Sequence, residues 1–210
     1  MNKFNLLSTA LLAIFSLNAR ADVVEDTSIV EEPAAAPALE FKDLIPEQRV
    51  IAEVLPTRPR DPKNPGVRIW LDHRNNVYHI GEEAEISVKA ERSGYLHIIS
   101  VGTSGRVIRL FPNKYESNNY VRKGQIIKIP GKSYNYLYKV HGPAGLELLK
   151  AFITDSNAPI WGKSAETFSD DIFPVSSLTP ELIAKDLMIE EKKPEHRNMD
   201  TFEKVFEIRP

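Results

Sequence analysis

From Val67 onward the hydrophobic period of the chain is two. Val67, Ile69 and Leu71 alternate with Arg68, Trp70 and Asp72, and Ala84, Ile86, Val88 and Ala90 alternate with Glu83, Glu85, Ser87, Lys89 and Glu91. Successive strand side chains point to opposite faces, so this pattern describes strands with one face buried and one wet. YLHIISV, 95 to 101, is apolar at both parities and reads as a central strand covered on both faces. Thr103, Ser104 and Gly105 make a tight turn into VIRLF, 107 to 111. Further strands are expected at 125 to 129, 134 to 140 and 147 to 154, with KVFEI, 204 to 208, as the last. Short strands at this spacing, without intervening helical patterns, predict a mainly β fold: an antiparallel β-sandwich over 65–160. A C-terminal extension, 161–210, adds one short helix, with Thr179 as its cap, Pro180 in the first position, Leu178 against Ile183, and Pro194 limiting its length.

Upstream of the strands the composition changes. MNKFNLLSTALLAIFSLNARA combines an early Lys3, an apolar stretch from Leu6 to Leu17 and the small residues Ala19 and Ala21, the three-part pattern of a secretory signal peptide over 1–21. The stretch is shorter than the about 20 residues a spanning helix needs. A periplasmic or secreted location is therefore expected, with no membrane span after signal cleavage. Residues 22–64 read as a tether and linker: 22 to 40 are acidic and rich in Ala and Pro, and Pro59, Pro62 and Pro65 favour an extended spacer. Between them, 41 to 56 is more apolar, a segment able to dock on the domain or on a partner. With no cysteines, stability must come from a packed core rather than disulfides. A formal net charge of −2 carries no nucleic-acid footprint.

The side chains that carry chemistry are scattered. His73 and His79 flank an Asn-Asn turn near Asp72, while His97, His141 and His196 stand apart, so neither a metal nor another cofactor is expected from their spacing. Ser100, Ser104, Ser133 and Ser164 lie in no G-x-S-x-G context, and Asp170 and Asp171 beside Glu166 read as a solvated acidic run. No catalytic residue is expected. Tyr134, Tyr136 and Tyr138 share one strand face whose alternate positions, Asn135, Lys139 and His141, are polar; core packing is the favoured reading over a sugar platform. The loop within RLFPNKYESNNYVRKGQIIKIP carries Lys114, Tyr115, Tyr120, Arg122 and Lys123 between two apolar runs that end at Pro112 and Pro130. Loops on a rigid β scaffold are where recognition usually sits, so Tyr115, Tyr120, Arg122 and Lys123 are the candidate partner-binding residues.

Several of these pieces occur together in a recognisable order. Tyr78, Gly81 and Glu82 in Y-x-x-GE, SGYLHIISV at 93 to 101, G-x-V-x-x-LFPN from Gly105 to Asn113, then Asn119, Val121 and Gly124, and GPAGLELLKA at 142 to 151 resemble a bacterial domain-of-unknown-function family, number 4384 in its series. The resemblance covers roughly 65 to 155. It implies an exported or appended accessory β domain and no agreed activity, hence no catalytic residue to carry over. The expectation is a non-catalytic adaptor that binds an envelope or secretion-apparatus protein. A carbohydrate or peptidoglycan module that binds cell-wall glycan is the alternative, and an envelope hydrolase the third reading.

Overall fold

The computed structural model describes residues 41–54, 65–131, 136–196 and 198–210. The segments expected as a signal peptide over 1–21 and as a tether up to residue 40, residues 55–64 of the expected linker, and Tyr134 lie outside the described residues.

The period-two segments form strands as their patterning requires. β1 (Val67–Leu71) pairs antiparallel with β3 (Ile86–Ala90), and β3 with β7 (Ile126–Ile129), giving a three-stranded sheet. A six-stranded sheet has β2 (Val77–His79), β9 (Asp200–Arg209), β8 (Gly145–Thr154), β4 (Gly94–Val101) and β5 (Val107–Phe111) in that order. Short β6 (Tyr120–Val121) pairs with the first residues of β4. β5 and β7 each stop just before Pro112 and Pro130, which have no N–H to offer a ladder. Gly105, with φ of +72°, takes the left-handed position of the turn that leads into β5.

Burial explains why β4 and β8 do not alternate. Leu96 and Ile98 of β4, with Leu149, Ala151 and Ile153 of β8, share one apolar cluster with Val67, Ile69 and Val88 of the smaller sheet. Ile99 and Val101, with Leu148 and Phe152, join a second cluster with Leu44 and Ile51 near the N-terminus and Ile183 and Leu187 downstream. The six-stranded sheet is thus covered on both faces, by strands on one side and helices on the other.

Two helices make that second cover. α2 (Pro180–Glu191) starts at Thr179 with Pro180 in its first turn, as expected, although the Thr179 side chain forms no cap hydrogen bond to the helix. α1 (Pro46–Glu53) falls within the segment that sequence left undecided, and it docks on the domain itself. Two buried polar side chains fix it there. Gln48 Nε2 donates to the Val101 and Leu146 carbonyls at 3.0 and 2.6 Å, and Gln48 Oε1 accepts the Ile45 N–H. Lys150 of β8, fully buried, donates to the carbonyls of Ile51, Ala52 and Val54 at the end of α1 at 3.1, 3.0 and 2.5 Å, and pairs with Glu203 at 2.7 Å. A cation at a helix C-terminus satisfies carbonyls that have no partner within the helix.

Three expectations change. The larger sheet is mixed rather than antiparallel throughout, because β9 returns from the helical layer and enters parallel to β2; a parallel neighbour requires a long connection, which residues 80–199 supply. Residues 161–210 are not an appendage: β9 runs between β2 and β8 and pairs with β8 over nine positions. The strand expected at 134–140 is, over 136–140, an extended segment with one bridge, Lys139 to Glu83. Its neighbour is a turn rather than a strand, with hydrogen bonds from Gly81 to Val140, Ala84 to Tyr138 and Val140 to Glu82. The parity of that segment holds: Tyr136, Tyr138 and Val140 are buried and Lys139 and His141 exposed.

Candidate functional site

The loop after β5 is built around one buried asparagine. Asn113 Oδ1 accepts the N–H groups of Tyr115 and Glu116, both at 3.0 Å, an arrangement in which an Asx side chain replaces a backbone turn. Its Nδ2 donates to Leu110 O at 3.0 Å and to the Tyr136 hydroxyl at 3.2 Å. Tyr115 is consequently held half-exposed, at 48 %, with its ring stacked on Tyr136 at 5.4 Å and 8° between planes. Tyr136 donates to Glu116, and burial, then that carboxylate, push its hydroxyl up to about 12.

Tyr120, Arg122 and Lys123 stand together on β6 and the turn that follows it. Tyr120 is 46 % exposed and meets Tyr95 edge-on at 5.3 Å. The turn is tied by Arg122 N–H to Gln125 Oε1 at 2.9 Å and Lys123 N–H to Ser93 Oγ at 3.0 Å, bonds that leave both cationic side chains exposed. Tyr115 occupies a separate turn with Tyr136 as its platform. Lys114 pairs with Asp170 at 3.1 Å, which takes one charge out of the basic patch and one carboxylate out of the acidic pair; Asp171 accepts from Ser169 Oγ at 2.7 Å.

In the histidine hairpin the acid next to the rings is Glu82 rather than the neighbouring Asp72. Asp72 accepts the Tyr78 hydroxyl at 2.5 Å and the Glu85 N–H at 2.9 Å, and neither bond involves a histidine. Glu82 lies between the two rings, 3.5 Å from His73 Nε2 and 3.7 Å from His79 Nδ1. His73 stacks on Tyr78 at 4.3 Å and engages Val77 O through Nδ1. Among the described residues no group of three or more histidines and carboxylates is placed to hold a metal ion. His196 is fully buried and bridges Glu190 O and Ala158 O.

Sequence reasoning missed the buried polar centres, which are assembled from distant residues. Glu147 Oε1 accepts from both Ser100 and Tyr138, the latter at 2.8 Å, and burial pushes its carboxyl above the usual range against the pull of those two donors. Ser100 is fully buried. Asn119 Nδ2 donates to Leu96 O and lies 3.2 Å from His97 Nε2. Burial, with Arg109 and then His196 adding to it, lowers His97 to about 3 and keeps the ring neutral. These groups hold strands and loops in place. Open grooves of about 710 and 750 Å³ flank α2, the first against the β4–β5 turn and the second against residues 158–166.

Asn113, Asn119 and Glu147, three of the buried polar anchors, all fall within one stretch of sequence. Residues 77–157 match DUF4384, a domain of unknown function. The DUF4384 segment runs from β2 past the end of β8, and β1, β9 and both helices lie outside it. Tyr115, Tyr120, Arg122 and Lys123 lie inside it. No curated protein matches the chain. Among the described residues no helix is long and apolar enough to cross a membrane.

Proposed function

We propose that the chain is an exported, non-catalytic adaptor whose two sheets pack face to face as a β-sandwich and which presents the Tyr120–Arg122–Lys123 ridge, with Tyr115 on a separate turn, to a protein of a bacterial envelope or secretion assembly. The observation that supports this reading is the rigidity of an exposed surface. Two half-exposed tyrosines are braced by ring contacts, Tyr115 also through the turn that Asn113 holds, and Arg122 and Lys123 stand exposed beside Tyr120. Aromatic side chains lose little entropy on binding, and tyrosine and arginine are enriched among the residues that dominate interface energetics. Export rests on the N-terminal pattern of residues 1–21.

The test is a pull-down from envelope extract with the wild-type chain and with a Tyr120→Ala, Arg122→Ala, Lys123→Ala triple variant. Loss of a specific partner in the variant, with an unchanged melting temperature, is the expected result. Recovery of the same proteins by both would sink the adaptor reading at this ridge. Exposed tyrosine rings are also what a glycan platform uses. Pelleting with purified cell wall, abolished by Tyr115→Ala and Tyr120→Ala together, would move the assignment to a cell-wall-binding module.

A further inference from the structure

Two donors on the helix-facing side of β4 and β5 are buried without a hydrogen-bond partner. One is His97 Nδ1; the other is Arg109 Nε. Asn119 fixes the tautomer of the first, because its amide nitrogen is committed to Leu96 O and presents an N–H to His97 Nε2, leaving the ring proton on Nδ1. Arg109 forms no ion pair with any described carboxylate, and its guanidinium sits 4.9 Å above the ring of Phe168. An aromatic wall links the two groups: His97 meets Trp161 at 5.8 Å, and Trp161 meets Phe168 at 5.5 Å. Native proteins leave few buried donors unsatisfied, and a pair on one wall asks for a shared acceptor.

We propose that Arg109 and His97 receive a small monocarboxylate against the wall formed by Phe168 and Trp161. A guanidinium N–H and a neutral imidazole N–H supply two donors and one positive charge, which matches the two oxygens and single charge of a carboxylate. Phe168 also lines the groove of about 710 Å³ at the start of α2, so one end of the wall reaches the surface there. Glu47 and Glu181 line the same groove and disfavour a second negative charge, so a phosphate dianion or a polyacid is a poorer ligand.

The test reads Trp161 alone, in the full chain carrying Trp70→Phe, since the chain has two tryptophans. Its emission is titrated at constant ionic strength with sodium acetate and with a doubly blocked glutamate, using sodium chloride and sodium phosphate as controls. A saturable change with acetate is expected, with affinity at least about tenfold weaker in Arg109→Met, the loss of one charge-assisted contact. His97→Phe weakens it as well. Saturation with blocked glutamate too assigns the ligand to a partner's acidic side chain; saturation with acetate alone assigns a free acid, and either supports the site. No saturable change, a response to phosphate but not acetate, or equal affinity in Arg109→Met overturns it. Should Arg109→Met fail to fold, Arg109→Lys keeps the charge without the fork and is expected to bind more weakly than wild type.

Discussion

A buried neutral histidine makes stability depend on pH with a definite sign. His97 titrates near 6.5 in the unfolded chain and near 3 in the fold. Between those values the unfolded state binds more protons, so stability rises with pH across the window, is complete above about 6.5 and is lost as pH falls toward 3. At pH 4.5 the loss is about 2–3 kcal/mol, and a His97→Phe variant should show a correspondingly flatter urea midpoint against pH. Glu147 acts in the opposite direction. Its carboxyl is raised by burial, so the native state holds its proton longer, and stability falls as pH rises above the ordinary glutamate range. Glu147→Gln keeps an acceptor for Ser100 and Tyr138 without the charge, and should gain on wild type as pH goes from 4 to 7. Glu147→Ala strands two buried hydroxyls, at about 1–3 kcal/mol each. Parallel denaturation series for the two variants separate these effects. Little of this could be read from sequence, because His97 draws on Asn119, Arg109 and Trp161 and Glu147 on Ser100 and Tyr138, none of them close in sequence.

At the scale of elements, legibility followed periodicity. β1 and the burial of Tyr136 and Tyr138 could be read because a period of two states which face is inside, and β4 because apolar residues at both parities state that both faces are covered. The helix α2 was legible from Thr179 and Pro180 at its start. α1 was not, since PEQRVIAE is one short helix between proline-rich stretches and its anchors, Lys150 and Glu203, lie about a hundred residues or more downstream. Short helices are marginal alone and take their stability from packing. Ile51→Ala should therefore cost about 2–5 kcal/mol by chemical denaturation, the range for emptying a core aliphatic site. Lys150→Met should cost about 3–5 kcal/mol, because Glu203 would keep its buried charge and the α1 carbonyls would lose their donor. Adding Glu203→Gln to Lys150→Met should restore part of that loss. If the double variant is as unstable as the single one, the carbonyls rather than the charge pair carry the cost.

For the whole molecule, the question is which stretch of chain is the folding unit. The DUF4384 match covers 77–157, yet the sheets do not close over those limits. Without residues 200–209, β2 and β8 both lose the strand between them, and Phe206 and Ile208 leave the core shared with the smaller sheet. Without β1, Val67, Ile69 and Leu71 leave that same core. Without α1 and α2, Ile99, Val101, Leu148 and Phe152 face water, along with the otherwise buried Lys150. Fully burying each such aliphatic or aromatic side chain is worth about 1.5–3 kcal/mol, so these losses together exceed the about 5–15 kcal/mol that a domain has in hand. Residues 77–157 expressed alone should show no cooperative melt, whereas 41–210, which retains both helices and β9, should melt as one transition close to the full chain. The acidic stretch 22–40 is then removable in partner assays, but 41–54 is not, since a deletion reaching Val54 takes away the cover of the second core. Dispersed amide resonances and a sigmoidal thermal transition for the 77–157 fragment would show instead that the matched segment is the autonomous domain and that β1, β9 and the helices are additions to it.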